Sequence, residues 1–211
     1  MLFKLQGVRA IIVCMNIPKL YSPKRTERLI NKHADWIGEA ASRFHVPAAA
    51  LKAVLYREMT GIDLLDPLAD LAAMTGFKGK HDSSVGYGQI FGYVGINAVN
   101  FAVSQGIAGY ADFGLPEGRV LDPGRREDVK LLWRVLLRDR KKNIGIMALN
   151  LRLCAQEMTG TADFDRLTAE ELKLTFTRYN ADVKKVTAYG EEVFGLFLRF
   201  GGQCAVRENS S

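Results

Sequence analysis

The chain has 211 residues, 48% of them apolar, and a formal net charge of +6. This length supports a full hydrophobic core in one domain, and this apolar share excludes a disordered chain. The excess of cations is scattered (Lys24-Arg25, Arg125-Arg126, Arg138 to Lys142, Lys184-Lys185), and it suits an anionic partner such as nucleic acid or a charged cell-wall polymer.

Residues 1–20 read as a leader to which the pattern assigns no definite element. Ala10 to Met15 is apolar after Lys4 and Arg9, but it is too short for a secretory core and Asn16 ends it. No signal peptide is therefore expected. Ser22-Pro23 reads as an N-cap and first turn, opening a domain over residues 21–202. Leu29, Ile30, His33, Trp36, Ile37 and Ala40 then recur at helical spacing as far as Phe44. Pro47 suits a helix start, and Leu51, Val54 and Leu55 give the following helix an apolar face. That helix carries Glu58 and stops at Met59-Thr60-Gly61. Leu64 to Met74 is expected to form another short helix.

Gly76 to Ser84 reads as a polar loop and Ile90 to Val103 as an apolar helix. Gly106 to Gly124 reads as loop, where Tyr110 and Phe113 either line a groove or pack the loop down. One long helical pattern covers Arg126 to Thr159, with a break or restart expected at Asn143 to Ile146. Cys154 falls in its apolar pattern and is expected in the core. Thr168-Ala169-Glu170-Glu171 is a capping box, and the helix behind it ends at Tyr179-Asn180. A last helix is expected from Asp182 to Phe200, with residues 203–211 as a polar tail. No strand pattern is convincing, so the expected fold is mostly α.

The stretch with chemistry in it is Val46 to Ile90. A carboxylate at the end of an apolar helix face is costly to bury, and Glu58 sits there. Ser84, Gly86, Gly88 and Gln89 form a small-residue turn in which glycine lets backbone approach a ligand and Gln89 offers a donor and an acceptor. A Glu facing such a turn suits general-acid chemistry on a sugar. Asp82 is the nearest second carboxylate to the turn, with Asp63 and Asp66 behind it. Cys14, Cys154 and Cys204 form no CxxC or Cys/His cluster, and His33, His45 and His81 lack ligand spacing, so no metal, cofactor or disulfide framework is expected. No run reaches membrane-spanning length.

Four blocks, in order, resemble the soluble lytic transglycosylase and goose-type lysozyme family. Val46-Pro47 to Glu58 looks like the helix ending in that family's catalytic Glu. Ser84-x-Gly86-x-x-Gln89-Ile90 looks like its Ser/Gly/Gln loop. Asn143-Ile144 to Leu151 looks like its Asn-Ile helix start. Tyr179-Asn180, followed by Val186, Tyr189 and Val193, looks like its closing Tyr-Asn block. The chain departs from the family at Met59, at Tyr87-Gly88 and at Ala181-Asp182.

The resemblance implies a single lysozyme-like helical domain that cleaves peptidoglycan glycan strands in the cell wall, in the periplasm or outside the cell. It implies Glu58 as general acid, substrate contacts from Ser84, Gly86, Tyr87, Gln89, Tyr179 and Asn180, and the Tyr179 phenol near the Glu58 carboxyl. A lytic transglycosylase needs no second acid, whereas a lysozyme-type hydrolase would call on Asp82. The transglycosylase is the favoured expectation, because no second acid stands out. The alternative from another class is a non-catalytic helical protein that binds wall or nucleic acid. Nucleic acid is not expected as partner, because no recognition-helix signature or dense basic stripe is present.

Overall fold

In the computed structural model, which describes residues 19–63 and 82–205, Ser22 and Pro23 open the first helix. The Ser22 hydroxyl accepts from the Arg25 N–H at 3.3 Å, capping α1 (Pro23–Lys32). The apolar pattern continues across His33, but the helix does not. The chain turns at His33, whose ring is buried and stacked on Trp36 at 4.3 Å, and α2 (Ala34–Phe44) starts afresh. His45 ends α2 in the left-handed conformation, at φ 49°. Pro47 precedes α3 (Ala48–Gly61), which carries Glu58 in its last turn.

The remaining helices among the described residues are α4 (Gly92–Ser104), α5 (Arg126–Arg138), α6 (Arg140–Thr159), α7 (Ala169–Asn180) and α8 (Ala188–Arg199). Short 3-10 turns lie at Tyr110–Phe113 and Phe164–Arg166. The first packs its loop down, with Tyr110 and Phe113 buried and the Tyr110 hydroxyl donating to Asn100 Oδ1 at 2.7 Å. Among the described residues there is no strand, so the chain is mostly α as its periodicity indicates. The expected helix Leu64 to Met74 lies outside the described residues, as do Asp66, His81 and nearly all of the leader.

Two further boundaries differ from the pattern, and capping explains both. The long run from Arg126 to Thr159 breaks at Asp139, not at Asn143 to Ile146. Asp139 is extended and its carboxylate accepts from the Lys142 N–H at 3.0 Å, so it caps α6. Asn143 and Gly145 lie inside α6, where both are buried. The last helix begins at Ala188, not Asp182. Thr187 caps it by accepting from the Gly190 N–H at 3.4 Å, and the Thr187 N–H is itself held by Thr177 Oγ1 at 3.1 Å.

Helix α6 is the axle of the fold. It packs against α2, α3, α4, α5 and α7. Every residue from Asn143 to Leu151 is buried, as expected of a helix covered on all sides. Helix α3 lies against α1, α2, α6 and α8. The last turn of α3 and the start of α8 therefore meet beside the C-terminal half of α7, and this junction places the site.

Candidate functional site

Residues 85–90 form a tight turn closed by paired backbone hydrogen bonds between Val85 and Ile90, at 3.1 and 3.2 Å. The turn requires left-handed backbone at Gly86 (φ 73°) and at Gln89 (φ 45°), the latter a strained state for a residue with a side chain. Interactions with two helices hold it. Asn143 of α6 accepts from the Gly88 N–H at 2.9 Å and donates to the Val85 and Leu136 carbonyls, both at 3.2 Å. Tyr179 of α7 donates to the Gly88 carbonyl at 2.6 Å. A Cβ on Gly86 would stand 2.2 Å from Asn143 Nδ2, so only glycine lets the turn sit this close to α6.

The Gln89 side chain is fixed inside the turn. Its Nε2 donates to the Gly86 carbonyl at 2.9 Å, and its Oε1 accepts from Ser84 Oγ at 3.2 Å. One amide hydrogen and one oxygen lone pair stay available for a ligand.

A groove of about 330 Å³ runs past this turn. Its walls are the end of α3 with Glu58, the turn with Ser84 and Gln89, the start of α4, the α6 face carrying Asn150 and Cys154, and residues 178–182 at the end of α7. Burial pushes the Glu58 carboxyl up to about 7, against an opposing pull from a hydrogen bond donated by Tyr189 and from the nearby Arg57. The Tyr189 hydroxyl donates to Glu58 Oε1. Burial and the facing Glu58 carboxyl together push the Tyr189 and Tyr179 phenols well above their ordinary range, so both remain donors. Arg57 steadies this corner. Its guanidinium lies over the Tyr189 ring at 5.4 Å and its Nε pairs with Glu192 at 2.7 Å.

The groove thus brings together Glu58, Ser84, Gln89, Tyr179 and Asn180. Three expected site residues lie elsewhere. Tyr87 is buried against His33 at 5.6 Å, under the Arg140 guanidinium at 5.3 Å, on the side of the turn away from the groove. Gly86 packs on Asn143, as described above. Asp82 is not a groove residue. Its carboxylate accepts from the Gly92 and Tyr93 N–H groups at 2.8 and 3.1 Å, so it caps α4 from outside the helix. The Tyr179 phenol lies near the Glu58 carboxyl, as expected, but its own hydrogen bond goes to the Gly88 carbonyl, and the phenol bonded to Glu58 is that of Tyr189.

Tyr189 falls in the apolar stripe Tyr189, Val193 and Phe197 of the last helix. The signal was its hydroxyl, since a buried phenol needs a partner. Asn97, Asn150, Glu157 and Arg178 also line the groove. Asn150 is a buried amide within the apolar run of α6, itself a readable sign of a polar wall. Arg178 pairs with Glu157 at 2.7 Å and approaches Asp182 at 3.7 Å. Cys154 is buried and its thiol is pushed up to about 12 by desolvation, so it is a wall and not a nucleophile.

Among the described residues no group of three His, Cys, Asp or Glu could hold a metal ion, and no helix is long and apolar enough to cross a membrane. A proton donor poised near neutrality, amides beside it and an open groove suit acid-assisted cleavage of a polar polymer. No protein-family model matches the chain, and no curated protein or solved structure matches it.

Proposed function

We propose that this chain is a peptidoglycan-cleaving enzyme that acts on the glycan strand as a lytic transglycosylase, with Glu58 as its single acid and base. The observation that carries this reading is the Glu58 carboxyl. It lies on a groove wall, is held up to about 7 by desolvation, and receives a hydrogen bond from Tyr189. A carboxylic acid in that state protonates the glycosidic oxygen at neutral pH, which contributes about 10²–10⁴-fold in rate. The bond from the anomeric carbon to that oxygen breaks, the neighbouring sugar leaves with the proton as its new hydroxyl, and the carboxylate left behind is stabilised by the Tyr189 phenol. It then takes the proton from the sugar's own hydroxyl as that oxygen closes on the anomeric carbon. Gln89, Asn180 and the neighbouring amides hold acetamido and hydroxyl groups.

Three acids of the described residues support the ring-closing route over hydrolysis. Asp82 is engaged in capping α4, and Glu157 and Asp182 are drawn to Arg178. An inverting hydrolase needs a second carboxylate roughly 6.5–9.5 Å from the acid to activate water. The test is release of soluble fragments from purified peptidoglycan. The native chain releases them and folded Glu58→Gln does not; full activity in Glu58→Gln overturns the assignment.

A further inference from the structure

Phe91 and Tyr93 flank the first residue of α4 with their rings turned outward. They are 40% and 46% exposed, and their ring centroids are 5.8 Å apart with planes at 43°. Both line the groove. Other exposed large apolar residues among those described are the aliphatic Val120, Leu137 and Leu198, so these two rings are the exposed aromatic pair. Adjacent large apolar side chains left in water mark a binding surface.

The backbone beneath the rings is fixed. Asp82 holds the Gly92 and Tyr93 N–H groups, and Gly92 presses so close to α5 that a Cβ would stand 2.6 Å from the Val129 carbonyl. The rings are therefore presented at a set height on the groove wall.

We propose that Phe91 and Tyr93 form a stacking platform for a pyranose ring of a β-linked N-acetylhexosamine strand. This inference deepens the reading of the groove given above and rests on it. A sugar ring offers an apolar face of C–H bonds that packs on the negative face of an aromatic ring. Its edge carries hydroxyl and acetamido groups, and Asn97, Asn150 and Gln89 stand in the same groove to meet them. Aromatic stacking also serves single-stranded nucleic acid, but that ligand needs cations along its path. Here Glu58, Glu157 and Asp182 line the groove, and the guanidinium of Arg178 is already paired with Glu157. The groove therefore favours an uncharged strand over a polyanion.

The experiment uses the full chain carrying Glu58→Gln, titrated calorimetrically with the β-1,4-linked hexamer of N-acetylglucosamine. Phe91→Ala and Tyr93→Ala each weaken binding by about tenfold, the size of one lost stacking contact. Phe91→Tyr and Tyr93→Phe retain the affinity. In the chain that keeps Glu58, the same alanine variants raise KM on peptidoglycan and leave kcat in place. Native affinity in both folded alanine variants overturns the platform, as does failure of the Glu58→Gln chain to bind the hexamer. Tighter binding of a single-stranded oligonucleotide than of the hexamer overturns it in favour of nucleic acid. Absence of wall lysis by the native chain counts against the proposed reaction alone, because the titration still decides the platform.

Discussion

The Tyr189 phenol of α8 donates its hydrogen bond to the Glu58 carboxyl of α3, joining residues 131 positions apart in the chain. The bond opposes the desolvation that raises the carboxyl, so the two helices together set where Glu58 titrates. Removing the hydroxyl in Tyr189→Phe takes away a contact that favours the charged form. The Glu58 carboxyl then moves further up, and the alkaline limb of the pH–rate profile moves to higher pH. In kcat the loss is about 10–100-fold, the worth of one hydrogen bond to a charged group. A pH profile of the folded variant that superimposes on the native one contradicts this.

Glu58 also makes a signed prediction about stability. Its carboxyl titrates at about 7 in the folded chain, against an ordinary value of 4.5. As pH rises between these values the unfolded chain releases a proton that the folded chain still holds, so stability falls. The loss is complete above the folded value and amounts to roughly 3 kcal/mol at most. Glu58→Gln removes the penalty. Its melting temperature exceeds that of the native chain by more at pH 8 than at pH 4, even as lysis is lost. An equal difference at the two pH values contradicts a raised Glu58.

Asn143 gives the sharpest test of the turn. It serves the Gly88 N–H and the Val85 and Leu136 carbonyls from a fully buried position. Asn143→Leu leaves those groups without their partner and costs about 2–4 kcal/mol, read from urea denaturation. Activity falls with it, since Gln89 rides on the same turn. A change in stability of less than about 1 kcal/mol shows that the turn is held by other means.

Asp82 separates capping from catalysis. Asp82→Ala removes the cap on α4 and lowers stability by about 0.5–2 kcal/mol. Because Phe91 and Tyr93 stand on that cap, KM rises, while kcat stays near the native value. A large fall in kcat with unchanged stability and KM assigns Asp82 a direct part in the reaction.

What the sequence revealed depended on whether the cause was local. Ser22, Pro47 and the Thr168–Glu171 box mark helix starts through contacts a few residues long, and each start lies where those residues indicate. Glu58 was conspicuous because a carboxylate next to Leu55 and Met59 conflicts with its neighbours. The turn around Gly86 was legible through its small residues. Contacts across the fold were not. Asp82 looked like a loop acid because the N–H groups it caps begin 10 residues later. Tyr87 lies in sequence between the groove residues Ser84 and Gln89, yet its ring faces His33. Asp139 lay inside a continuous apolar rhythm, and only the separate paths of α5 and α6 show that it caps a new helix.

The most direct test of the central claim is mass spectrometry of the soluble fragments released from purified peptidoglycan. The account predicts muropeptides at the anhydro mass, one water lighter than hydrolysis products, and none from Glu58→Gln. Fully hydrated fragments with a muramic acid reducing end, or anhydro fragments that persist in the folded Glu58→Gln chain, would contradict it.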